Sequence, residues 1–237
     1  GEKMDKWINQ IICGDCLEIM KELPDKCVDM ILTDIPYGNV SKHGEERARY
    51  AEQLRKIDKG LADIETFGIS DFIAECYRIA RGSIYIFCGI PQVSEIFTYF
   101  DGKKDLMTRH CVWEKANPSP MNGEHMWLSS TEDCIFAKFR KTVFNQQCKS
   151  SVWKFPCGQS KQHPTEKPIK MFEYLVLSSS NKGDIILDPC IGSGTTAVAA
   201  HNTGRFFIGI EKELKYCEIA RQRVEQAQAQ GNLFEEG

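Results

Sequence analysis

The stretch Asp184-Ile185-Ile186-Leu187-Asp188-Pro189-Cys190-Ile191-Gly192-Ser193-Gly194-Thr195-Thr196 decides the fold. An apolar run ends on a carboxylate, a glycine-bearing turn follows, and a helix-forming stretch over 195–201 begins at once. Working outward, Gly204 ends that helix, 206–210 is a second apolar run, and 214–227 has the spacing of a closing helix. This is one βαβ crossover, the unit from which parallel sheets are built. Upstream the same alternation recurs. Strands are expected at 11–13, 28–33, 83–88, 107–113 and Thr131–Phe139. Helices are expected at 17–23, Ile69–Ile79 (Ser70 as its cap, Gly82 just beyond it), 93–100 and 168–177. The expectation is an α/β protein with a seven-stranded, mostly parallel sheet flanked by helices. At 237 residues it forms a single domain over 4–230. Residues 39–66, of mixed charge and few large apolar residues, read as a flexible loop.

The glycine turn is a ligand-binding feature. Glycines let the backbone bend tightly and approach a small molecule without a Cβ in the way. Glu211 ends the next strand, where a carboxylate can accept both hydrogen bonds of a ribose diol. Three ligands compete for such a site. A nucleoside triphosphate fits poorly, because no Gly-Lys-Ser/Thr is present. A dinucleotide fits formally through Gly192-x-Gly194-x-x-Ala197, but Asp188 would repel a pyrophosphate. S-adenosylmethionine carries an α-ammonium and a ribose diol and no phosphate, so Asp188 with Glu211 suits it best.

A second polar cluster follows the strand at 28–33. Asp34-Ile35-Pro36-Tyr37-Gly38 stands where the carboxyl edge of the sheet should be, and α/β sites lie there. An exocyclic amine of adenine or cytosine is a poor nucleophile, its lone pair being delocalised into the ring. Asp34 can accept its N–H, a backbone carbonyl of the turn at Ile35–Pro36 can add a second acceptor, and Tyr37 can stack on a flipped base. Standing alone, this tetrapeptide is equally well a turn after a strand.

Together the two motifs resemble the DNA amino-methyltransferases (N6-adenine and N4-cytosine) of the permuted type, in which a D-P-P-Y motif precedes D-P-F-x-G-S-G-T-T. The resemblance covers most of 10–225, with gaps at 39–66 and 140–160, and implies a Rossmann-like class I methyltransferase fold with S-adenosylmethionine as cofactor. Gly14-Asp15-Cys16-Leu17-Glu18 resembles the family's adenine-contacting segment, implying that role for Asp15 with Cys16 beside it. His163-Pro164-Thr165-Glu166-Lys167-Pro168 resembles a segment that lines the cofactor pocket, implying His163, Thr165 and Lys167 there. On the same ground Asp34, Asp188, Pro189, Cys190, Gly192, Ser193, Gly194, Thr195 and Glu211 would contact the cofactor. Trp113-Glu114-Lys115 with Asn117-Pro118 is similar to the strand after the catalytic half. Ile35 replaces the usual first proline and Cys190 the usual phenylalanine. Asp at position 34 points to adenine N6 over cytosine N4. The resemblance also implies a bacterial or phage-encoded cytoplasmic enzyme, with a homodimer or partner subunit left open.

Charge adds the DNA side. Residues 138–170 hold eight Lys/Arg and one acid, a local +7 in a chain of net −3, so the remainder carries −10. Phe139, Phe144, Trp153 and Phe155 are interleaved with them, the makeup of a surface that meets phosphates and bases. Arg140, Lys141, Lys149, Lys154 and Lys161 are the expected DNA contacts, in a short target-recognition insertion at about 138–161. The eleven cysteines are scattered, and without a secretion signal they are expected to be reduced. No metal is expected: Cys13-x-x-Cys16 has no second pair, and the histidines lack ligand spacing. No apolar run is long enough to span a membrane. Two rivals stay open, a nicotinamide-dependent oxidoreductase and a non-catalytic nucleic-acid-binding module.

Overall fold

The computed structural model describes residues 2–37, 68–120, 123–158 and 166–235. The expected loop at 39–66, and Lys161, His163 and Thr165, lie outside them. The described residues form one eight-stranded sheet in the order β1-β8-β7-β2-β3-β5-β4-β6. The strands are β1 (Gln10–Cys13), β2 (Val28–Asp34), β3 (Ala80–Cys88), β4 (Leu106–Lys115), β5 (Thr131–Phe139), β6 (Val152–Phe155), β7 (Ile185–Asp188) and β8 (Phe206–Glu211). Only β5 runs against the rest. The eighth strand, β6, was not among the expected seven. It is four residues long, sits at the sheet edge beside β4 and is masked in the sequence by its basic surroundings.

The helices are α1 (Glu2–Asp5), α2 (Cys16–Glu22), α3 (Ile69–Ile79), α4 (Ile90–Asp101), α5 (Ile169–Ser179), α6 (Thr195–Asn202) and α7 (Leu214–Glu235). They cover both faces, because central strands alternate apolar side chains to either side. Tyr85 and Phe87 of β3 face a cluster with Phe172, Leu175 and Ala197, whereas Ile84 and Ile86 face one with Phe72, Ile73 and Ile79. Burying side chains of this size stabilises by about 1.5–3 kcal/mol each before entropy is counted. Asp15 caps α2, its Oδ1 accepting from Leu17 N (2.9 Å) and Glu18 N (3.1 Å).

Three expectations need correction. The cap of α3 is Gly68, and Ser70 already lies inside the helix. Gly82 belongs to β3, at an irregularity in its pairing with β2, where a Cβ would stand 2.0 Å from the Asp29 carbonyl oxygen. The thiols are not all free: α7 packs along β1 and brings Cys217 to Cys13, whose Cα atoms are 6.1 Å apart and whose sulfurs are bonded. The other nine cysteines are free.

The topology positions the site. From β2 the chain moves outward to β3 on one side, while β7 lies against β2 on the other and leads to β8. The order reverses between β2 and β7, and a crevice opens beyond the carboxyl ends at such a point. Asp34 ends β2 and Asp188 ends β7.

Candidate active site

A pocket of about 390 Å³, counting its open mouth, lies in that crevice. It is lined by both aspartates together with Glu166, Lys167, Phe172, Cys190, Ile191, Ser193, Thr195 and Thr196. Residues 154 positions apart in the chain thus face one space. A crevice at this place in an α/β sheet is where small-molecule ligands bind.

On the β7 side, Gly194 has φ 92° and its Cα packs so close to α7 that a Cβ would lie 3.0 Å from Ala220. Asp188 is buried. Its Oδ1 accepts from Cys190 N (3.0 Å) and its Oδ2 from the Thr196 hydroxyl (2.5 Å). Burial pushes its pKa up to about 6, and the Thr196 hydroxyl offsets only part of that cost. Glu211 Oε2 accepts from Gly192 N (2.9 Å) and Oε1 from Glu213 N (3.0 Å), so the carboxylate ties the turn to the end of β8. Glu166 accepts from the Thr195 hydroxyl (3.0 Å) and pairs with Arg223, which also donates to the Ser193 carbonyl at 2.8 Å and to its hydroxyl at 2.9 Å. Asp15, Cys16, Gly192 and Glu211 stand beside the pocket and not among the residues lining it. Gly14 N reaches the Glu211 carbonyl at 2.9 Å, and the Cys16 and Cys190 thiols are neighbours.

On the β2 side, Asp34 Oδ2 accepts from Lys167 Nζ at 2.7 Å, while its Oδ1 is buried and has no partner among the described residues. Lys167 Nζ also contacts Glu132 Oε2 (2.8 Å) and donates to the Tyr37 hydroxyl (3.0 Å). The Tyr37 hydroxyl in turn donates to Glu132 Oε2 at 2.9 Å. Burial alone would lower the Lys167 pKa, but the two carboxylates outweigh it and hold the ammonium above its ordinary range. Burial would likewise raise Glu132, but Lys167 and Lys115 hold it below the usual carboxylate value. Burial, with the charges of Asp34 and Glu132, pushes Tyr37 well up, so its hydroxyl stays protonated. The turn itself is held by Gln92, which donates to the Pro36 carbonyl (3.1 Å) and accepts from Gly89 N (2.9 Å). Ile35 is buried and donates its N–H to the Phe87 carbonyl at 3.1 Å, a bond that a proline at this position could not make.

Lys167 therefore belongs with Asp34 and Tyr37 as well as with the pocket it lines. Glu132, Gln92 and Arg223 escape a sequence reading, because each acts across the sheet on a partner far away in the chain. The expected DNA contacts separate. Lys154 lies level with Glu114 near the catalytic edge and is ion-paired with it at 2.5 Å. Arg140 and Lys141 follow the opposite end of β5. Thr131 is at the carboxyl edge and Phe139 eight residues on, so Phe139 lies about 27 Å away from that edge, with Arg140 just beyond it. Trp127, 96% exposed, and Met126, 67% exposed, stand on the β4–β5 connection at the catalytic edge and were not singled out from sequence.

A family model described as DNA methylase matches residues 28–222, a span that begins with β2 and ends within α7. The chain belongs to the DNA methylase family. This methylase is 27% identical over 263 residues to the type II methyltransferase M.HinfI of Haemophilus influenzae, covering 99% of this chain and 73% of that protein. It is 28% identical over 244 residues to M.HpaI of Haemophilus parainfluenzae, covering 91% and 74%. Among solved structures it superposes on the M1.HpyAVI–SAM complex with a TM-score of 0.64 at 30% identity, over 90% of this chain and 98% of that one. The cytosine-N4-specific PvuII DNA methyltransferase superposes at 0.69 over 92% and 89%, with 14% identity, a likeness of fold. Among the described residues of the methylase no group of three or more His, Cys, Asp or Glu is placed to hold a metal, and no helix is long and apolar enough to cross a membrane.

Proposed function

We propose that this methylase transfers a methyl group from S-adenosylmethionine to the exocyclic N6 of adenine in DNA. The observation that carries the reading is Asp34 Oδ1, a buried carboxylate oxygen with no partner among the described residues, in the same pocket as Asp188. The residues fit the cofactor. Asp188 is an ionisable group buried without a cationic partner, and an α-ammonium would supply one. Glu211 keeps a second acceptor position on each oxygen for a ribose diol. Asp15 and Cys16 flank that position, and Ser193 and Thr195 line the pocket with hydroxyls. The cofactor supplies a methyl group on a cationic sulfur.

Asp34 Oδ1 accepts one N–H of the target amine, which turns the nitrogen lone pair out of the ring's conjugation and toward the methyl carbon. The nitrogen would become cationic as it takes the methyl group, and Asp34 would accept the proton it then sheds. No covalent enzyme intermediate is required; positioning and preorganised charge supply the catalysis. Trp127 offers a bare indole face to a base at the rim of this edge, and Lys154 a charge to phosphate. Asp34, which the family resemblance associates with adenine, favours N6 over cytosine N4.

The test is nucleoside analysis of DNA from cells expressing the chain. N6-methyladenine is expected; N4-methylcytosine would keep the chemistry and overturn the base, and neither product would sink the reading. A melting-temperature rise with S-adenosylhomocysteine and none with NAD separates it from the oxidoreductase.

A further inference from the structure

We propose that Glu132 is a positioning residue for methyl transfer, acting through Lys167 and Tyr37 to fix which oxygen of Asp34 meets the target amine. This rests on the reading above that Asp34 accepts the amine's N–H. An ammonium has three protons on a long flexible stem, and one carboxylate partner would leave it free to swing between the two Asp34 oxygens. Here three acceptors surround it: Asp34 Oδ2 at 2.7 Å, Glu132 Oε2 at 2.8 Å and the Tyr37 hydroxyl at 3.0 Å. Each proton has one destination. Tyr37 closes the ring by donating to Glu132 at 2.9 Å, so its hydroxyl is also fully used.

Lys115 takes the other Glu132 oxygen at 2.9 Å. The network then holds two carboxylates and two ammoniums with no net charge, which is what lets Lys167 remain charged with its side chain only 4% exposed. The result is an Asp34 with Oδ2 engaged by the ammonium and Oδ1 open among the described residues. Glu132 itself is not among the residues lining the pocket. Its influence should therefore fall on the transfer rate and leave cofactor affinity alone.

Glu132→Gln keeps the shape and removes the charge that balances Lys167. With the full chain and a DNA that the wild type methylates, we expect the single-turnover rate to fall about 10–100-fold, the range seen when a group orienting a reactive side chain is removed. The Kd of S-adenosylhomocysteine should stay within about twofold. Lys167→Met should cost at least as much, and adding Glu132→Gln to it should cost less than about a further threefold, since both act through one carboxylate. Tyr37→Phe keeps the ring, opens the same network and should slow transfer by about three- to tenfold. A Glu132→Gln rate within about threefold of wild type, or losses that multiply in the double variant, would overturn the inference. Should Glu132→Gln not fold, an unchanged Tyr37→Phe rate overturns it instead. Active Asp34→Ala would instead remove the catalytic reading itself, whatever Glu132 does.

Discussion

Asp34 and Asp188 end neighbouring parallel strands and face one pocket, yet their carboxylates have opposite electrical surroundings. Among the described residues Asp34 has an ammonium on one oxygen and nothing on the other. Asp188 has both oxygens occupied, but by a hydroxyl and an amide, with no cation, and its pKa rises to about 6. A carboxylate already paired with a cation gains little from another, and its open oxygen suits a neutral N–H. A buried carboxylate without a cation gains much from one. The fold places the same side chain twice, and the neighbours leave one with an open oxygen suited to a neutral N–H and the other suited to a cation.

The largest test of that division removes each in turn. Asp34→Ala should lower methyl transfer by about a hundred- to a thousandfold, the loss seen when a preorganised transition-state interaction is deleted, with S-adenosylhomocysteine affinity within a few-fold. Asp188→Asn should do the reverse, weakening cofactor binding about 10–100-fold at pH 8, the worth of a charge-assisted hydrogen bond. Single-turnover kinetics and calorimetry separate the two. If both variants lose affinity and rate alike, the two carboxylates are not functionally distinct.

The raised pKa of Asp188 makes a sharper version. A cationic ligand favours the ionised form, so wild-type cofactor affinity should fall as pH drops below about 6, by up to about tenfold per unit. In Asp188→Asn that limb should vanish. The free protein should show the opposite trend. A carboxyl raised from 3.8 to about 6 is better tolerated protonated, so its contribution to stability is lost as pH rises from about 4 to 6. The difference is on the order of 3 kcal/mol. Denaturant titrations of ligand-free wild type and Asp188→Asn at pH 5 and 8 check it: the variant should gain relative to wild type at pH 8.

Asp34 and Asp188 were legible as strand-end carboxylates because each closes a short strand with an apolar core, Met30-Ile31-Leu32 and Ile185-Ile186-Leu187, and precedes a turn with Pro or Gly, which marks the strand's end. The βαβ unit around Gly194 was legible for the same reason. Periodicity gives the face a residue points to but not the register between strands, so it could not bring Glu132 to Tyr37 across 95 positions or Gln92 to Pro36 across 56. It also could not say that β5 runs backward, which sends the basic residues after Phe139 to the far edge. The strand β6 was hidden because a four-residue edge strand buries only Trp153 deeply.

The two ends of the basic stretch should differ by the smallest effect and the cleanest separation. Removing one phosphate-binding cation should reduce the slope of log affinity against log salt by roughly one unit. Lys154 is near the catalytic edge, half committed to Glu114 through an exposed ion pair that is itself worth little. Arg140 donates to the Lys104 carbonyl at 2.9 Å at the opposite edge. Charge alone treats the two as equivalent, whereas the sheet does not. Lys154→Ala should flatten the salt dependence of DNA binding by up to about one unit, and Arg140→Ala should leave it unchanged. The reverse result would mean that DNA lies along the far edge of the sheet, too distant for Asp34 to reach a base on it.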